Sequence, residues 1–109
     1  MKLHELSAVE LSEKIKNSDI TSEEVTKVFL DRINSIDEKT GAFVSVNGEK
    51  ALKEAKEYGK RENRSPLHGV PIAIKDNILS IGDLTTSASK ILDNYIGIYD
   101  STVVKKIKE

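Results

Sequence analysis

A lysine closes the short apolar run Val70-Pro71-Ile72-Ala73-Ile74-Lys75, and of all residues in the chain it is the best placed to do chemistry. Val70, Ile72 and Ile74 alternate with Pro71, Ala73 and Lys75, and this two-residue period predicts a strand over Leu67–Lys75. Pro71 implies that the early part of that strand does not donate to a ladder. Lys75 then shares a face with the small Ala73 and is directed toward an interior or crevice at the carboxyl end of the strand, where α/β folds build their sites. Burial favours the neutral amine of a lysine, which can then accept a proton. Asp76 offers the other reading, an ion pair that simply holds Lys75 in place. Position alone leaves both readings open.

The remaining candidates are weaker. His4 and His68 have no second His or carboxylate at ligand spacing, and Cys is absent, so no metal set is visible. His4 reads as a surface residue, and His68, before Gly69, as a loop residue that could orient a neighbour. No His stands beside a plausible nucleophilic Ser, so a Ser-His-Asp arrangement is unsupported. Ser87-Ala88-Ser89-Lys90 matches the SxxK pattern of penicillin-binding enzymes, but the companion SDN and KTG elements are missing. Ser87 and Ser89 are expected as turn and cap residues. The glycines form neither GxGxxG nor GxxxxGK[ST], so no phosphate cradle is expected.

The elements that must position Lys75 can be read from periodicity and capping. Ser7-Ala8-Val9-Glu10 and Thr21-Ser22-Glu23-Glu24 are both capping boxes, and they predict helices near 8–17 and 22–38. Val25, Val28, Phe29, Ile33 and Ile36 form a helical stripe on the second. Thr40-Gly41 breaks it, Ala42–Val46 reads as a short strand, and Glu49–Arg61 as a third helix. Asn63-Arg64-Ser65-Pro66 is a polar turn. After the Lys75 strand, residues 76–87 read as irregular, 88–92 as a short helical turn, and Asp100 or Ser101 as the cap of a last helix.

Composition bounds the answer. The 109 residues are 38% hydrophobic and 32% charged, the balance of one ordinary globular domain. Lys plus Arg number 17 against 18 Asp plus Glu, which argues against a domain that binds by neutralising phosphates. The lack of Cys excludes a disulfide framework and a thiol nucleophile in this chain. No apolar run approaches the roughly 20 residues of a membrane span. The first residues lack a secretory signal pattern, so no membrane association and a cytoplasmic setting are expected.

Leu67-His68-Gly69-Val70-Pro71-Ile72-Ala73-Ile74-Lys75-Asp76-Asn77-Ile78 closely resembles the LxGxPxxxKDN segment of the amidase signature family. Thr85-Thr86-Ser87-Ala88-Ser89-Lys90-Ile91-Leu92 is similar to the TTxASxxL stretch that follows it in that family. Leu6–Leu11, Ala42-Phe43 and Tyr99–Val104 resemble its tRNA-dependent amidotransferase branch. The resemblance implies a Ser–cis-Ser–Lys triad with Lys75 as the lysine, relaying a proton through the cis-Ser. The second Ser attacks the glutamine amide, forms an acyl-enzyme and releases ammonia. It further implies B and C partner subunits, a misacylated tRNA that receives the ammonia, and ATP with magnesium in the complex. No cofactor is expected in this chain.

The family's Gly/Ser-rich signature, with both serines, has no counterpart here, and Ser87 and Ser89 belong to a different motif. Only Lys75 carries over as catalytic, and the chain alone is expected to be inactive. The expected fold class is α/β, the N-terminal fragment of an amidase-signature fold whose mixed sheet is incomplete. Residues 1–109 would be one incomplete domain: 1–40 helical, and 41–109 the first strands and helices of the core. The chain also ends inside a helical pattern with no stop signal. Two alternatives stand beside this reading: a fragment of a general amidase acting on a small amide, and a non-catalytic module that docks the Val25–Ile36 stripe on a partner helix.

Overall fold

The computed structural model describes residues 2–62 and 65–109. Of the predicted polar turn, Asn63 and Arg64 lie outside the described residues. Contacts divide the chain into two compact units, Met1–Ile72 and Ala73–Glu109.

In the first unit, a 3-10 turn at Leu3–Glu5 precedes α1 (Ala8–Lys16), α2 (Ser22–Thr40) and α3 (Gly48–Gly59). Both capping boxes form. The Glu10 amide donates to Ser7 Oγ at 3.3 Å and the Ser7 amide to the Glu10 carboxylate at 2.7 Å. At α2 the Glu24 amide donates to Thr21 Oγ1 at 3.1 Å, and the Thr21 amide to the Glu24 carboxylate at 2.7 Å. Each box satisfies amides that the first helical turn leaves without partners. Gly41 ends α2 in the left-handed region at φ 60°, a conformation that glycine adopts without steric cost. Asn47 caps α3 by accepting the Lys50 amide at 3.2 Å. Leu11, Val25 and Ala55 are the buried apolar residues of this unit, and Val25 is 0% exposed. Val28, Phe29, Ile33 and Ile36 are half-buried on α2, which packs on α3 and on the 3-10 turn.

In the second unit, Ser101 Oγ accepts the Val104 amide at 3.3 Å and caps α4 (Thr102–Lys108). The segment before it folds through main-chain bonds between two stretches. Gly82 donates to Gly97 O at 2.9 Å, Gly97 to Asp83 O at 2.9 Å, Thr85 to Tyr95 O at 3.0 Å, and Ser101 to Leu79 O at 2.9 Å. The Asp100 carboxylate accepts the Ile81 amide at 2.8 Å and pairs with Lys108 at 2.9 Å. Val104 is the buried apolar residue here.

The α/β expectation is corrected: the described residues form helices and no strand or sheet. Only isolated bridges occur, Ile81 with Gly97 and Leu84 with Ile96. A strand exists only through a ladder to a neighbour, and alternating apolar residues do not supply one. At the predicted strand Ala42–Val46, the Asp37 carboxylate takes the first amides, from Ala42 at 2.8 Å and Phe43 at 3.3 Å. At Leu67–Lys75, the chain first turns, with Val70 donating to Leu67 O at 3.0 Å and Gly69 at φ 76°. Residues 70–75 then run without regular structure, and Ile72 and Ile74 remain exposed.

Candidate active site

Lys75 is exposed, not turned into an interior as its spacing suggested, because no sheet face encloses it. The next residue is held tightly. Asp76 accepts the Thr86 amide at 2.8 Å and the Thr86 hydroxyl through a short hydrogen bond. Its own carbonyl accepts the Ser87 amide at 3.1 Å. The Thr86 hydroxyl and then the Thr86 amide hold the Asp76 carboxyl below the usual carboxylate range, and the Ala88 and Ser87 amides lower it further. Thr86 is buried.

The loop facing Asp76 is built for this task. Ser87 and Ala88 both adopt left-handed backbone, at φ 49° and 57°. Non-glycine residues rarely do so. The ion pair left open between Lys75 and Asp76 is absent among the described residues, where the carboxylate is engaged by Thr86.

Ser87 and Ser89 act through the main chain. The Ser89 amide closes a turn onto Thr86 O at 2.8 Å, and no hydrogen bond joins Ser87 to Lys90 among the described residues. The SxxK spacing thus describes a turn, consistent with its lack of companion motifs. His68 is a structural residue of the first unit: its Nε2 lies 2.9 Å from Tyr58 O, and its ring meets Tyr58 edge-on at 5.5 Å. Arg61 covers the Tyr58 ring at 4.9 Å, a cation–π contact. His4 is half-buried, 3.9 Å from the Glu5 carboxylate.

Two contributions escaped sequence reasoning. Ser22, in the first turn of α2, is buried and donates its hydroxyl to Gly69 O at 2.6 Å. Thr86 anchors Asp76. Neither has a local signature, because each partner lies at least ten residues away in sequence. Among the described residues no group of three or more His, Cys, Asp or Glu gathers to hold a metal ion. Among the described residues no helix is long and apolar enough to cross a membrane.

Comparison with known proteins places these features in a family. Residues 24–109 match the Amidase family model. The chain is 49% identical to the glutamyl-tRNA(Gln) amidotransferase A subunit of Fusobacterium nucleatum, over 98% of this chain and 23% of that protein. It is also 49% identical to the A subunit from Carboxydothermus hydrogenoformans and 47% identical to one from Clostridium botulinum, each over 100% of this chain and 23% of the relative. The chain thus spans about a quarter of the length of the curated relatives it matches. With the family model covering most of its residues, the chain belongs to the amidase family.

Proposed function

We propose that this chain is the N-terminal segment of the glutamine-hydrolysing subunit of a tRNA-dependent amidotransferase. The observation that carries the reading is the near-half identity to amidotransferase A subunits over the whole chain, with the segment around Lys75 inside the family match. In this reading the Lys75 amine takes a proton through a cis-serine from a nucleophilic serine, both outside these residues, and delivers it to the departing ammonia as the acyl-enzyme forms. Ammonia from the glutamine amide then converts Glu-tRNA(Gln) or Asp-tRNA(Asn) to the correctly charged species, in the cytoplasm and in complex with B and C subunits. ATP and magnesium belong to that complex.

The 109-residue chain alone has no nucleophile in this scheme and is inactive. Two assays test the proposal. In the glutamine-hydrolysing protein that contains this segment, Lys75→Ala should abolish ammonia release; full activity in that variant would refute the assignment of the base. The purified chain should release no ammonia from glutamine, and turnover sensitive to Lys75→Ala would overturn its inactivity. Coupled turnover that needs no tRNA-binding partner would instead favour an ordinary amidase.

A further inference from the structure

We infer that the Thr86-Ser87-Ala88 loop withdraws the Asp76 carboxylate from Lys75, so that the amine next to it is kept unpaired. The inference rests on the reading of Lys75 as the base and names the device that keeps that base available.

The long flexible stem of an exposed Lys75 lets its amine reach back to the carboxylate of the next residue. An ion pair favours the ammonium form, which cannot accept a proton, so a carboxylate beside a general base works against it. The chain resolves this conflict with hydrogen bonds. Asp76 receives the Thr86 hydroxyl and the Thr86 amide at 2.8 Å, and the nearby amides of Ala88 and Ser87 favour its charged form further. These bonds to a charged acceptor are stronger than those of a neutral pair, and they offset the carboxylate's charge where it sits. The Ser87 amide bound to Asp76 O at 3.1 Å ties the main chain after Lys75 to the same loop. The left-handed backbone at Ser87 and Ala88 is a local cost, maintained where the surrounding structure demands it. Lys75 has no ion pair among the described residues and stays exposed. Thr86 is thus a positioning residue that acts on Lys75 through Asp76.

The test reads the amine directly. The chain is acylated with an N-hydroxysuccinimide ester at mildly alkaline pH, and the rate at Lys75 is compared by peptide mass spectrometry with that at Lys90, an exposed lysine of the same unit. In the wild type the two rates should agree within about twofold, the range of exposed amines without a strong pair. Thr86→Val frees Asp76 to pair, and the Lys75 rate should fall about two- to fivefold relative to Lys90. Thr86→Ser, which keeps the hydroxyl, should restore it. Adding Asp76→Asn to Thr86→Val should also restore it, which loss of structure alone would not do.

The inference is overturned if a folded Thr86→Val variant labels like the wild type. It is equally overturned if Lys75 in the wild type is already several-fold slower than Lys90, a measurement that requires no variant. The reading of Lys75 as the base is tested separately by Lys75→Ala in the glutaminase assay. An active Lys75→Ala enzyme would remove the base, yet leave the labelling result intact.

Discussion

The Ser22 hydroxyl donates to the Gly69 carbonyl at 2.6 Å, joining the first turn of α2 to a loop 47 residues later. Ser22 is buried, and a Cβ placed on Gly69 would lie 3.1 Å from Ser22 Cβ and 3.3 Å from Ile15 Cγ2. The contact therefore needs both a small donor on the helix and a residue without a side chain on the loop. Gly69 also takes φ 76°, which an L-residue adopts only with strain. Ser22→Ala should cost about 1–3 kcal/mol by leaving that carbonyl without its partner. Gly69→Ala should cost at least about 1 kcal/mol from the backbone alone. Denaturant unfolding of the purified chain measures both, and an unchanged midpoint in Ser22→Ala would show that the bond contributes nothing.

Adjacent threonines should respond in opposite directions. Thr85 is buried with its hydroxyl unpartnered among the described residues, whereas the Thr86 hydroxyl is held by Asp76. Thr85→Val keeps the shape and removes an unsatisfied polar atom, so stability should hold or rise by up to about 1 kcal/mol. Thr86→Val should lower the melting temperature, because it strips a charged acceptor of its donor. Thermal melts of the two variants side by side decide the point.

Gly97 should tolerate no side chain. A Cβ there would collide with the main-chain oxygen of Ser80, a backbone atom that cannot rotate aside. Gly97 also exchanges bonds with Gly82 and Asp83, so any shift breaks them. Gly97→Ala should destabilise by more than about 2 kcal/mol. Loss of amide protection at Gly82 and Gly97 in hydrogen exchange would locate the damage.

Acid should destabilise the chain for a specific set of carboxylates. Glu10 and Glu24 are held below their ordinary range chiefly by the amides of Ser7 and Thr21, and Asp37 chiefly by the Thr40 hydroxyl. Asp76 is lowered chiefly by the Thr86 hydroxyl. The folded state therefore holds on to fewer protons than the unfolded chain as pH falls through the ordinary carboxylate range. Their contribution is fully present above about pH 5 and fades as pH drops from about 4 through the lowered folded values. Unfolding midpoints across this range should fall with pH, and Asp76→Asn should flatten the slope.

Sequence alone determined what depends on neighbours along the chain. Both capping boxes, the starts of α1 and α2 and the Ser101 cap of α4 follow from residues within three positions of each other, and the structure contains each. The family was legible for a similar reason: the motifs from Leu67 to Ile78 and from Thr85 to Leu92 are contiguous, and the family match spans them. Strands were not determined by the sequence, because alternation at Val70–Lys75 records a preference for a pleated surface but not the neighbour whose amides complete it. Only the tertiary structure decided that the Asp37 carboxylate takes the Ala42 and Phe43 amides, that Ser22 reaches Gly69, and that Asp76 turns to Thr86. A side chain beside several possible partners goes to the one whose donors the backbone has already aligned. For Asp76 those donors are the Thr86 amide and hydroxyl, and nothing in the local residue order of Lys75-Asp76 announces that choice.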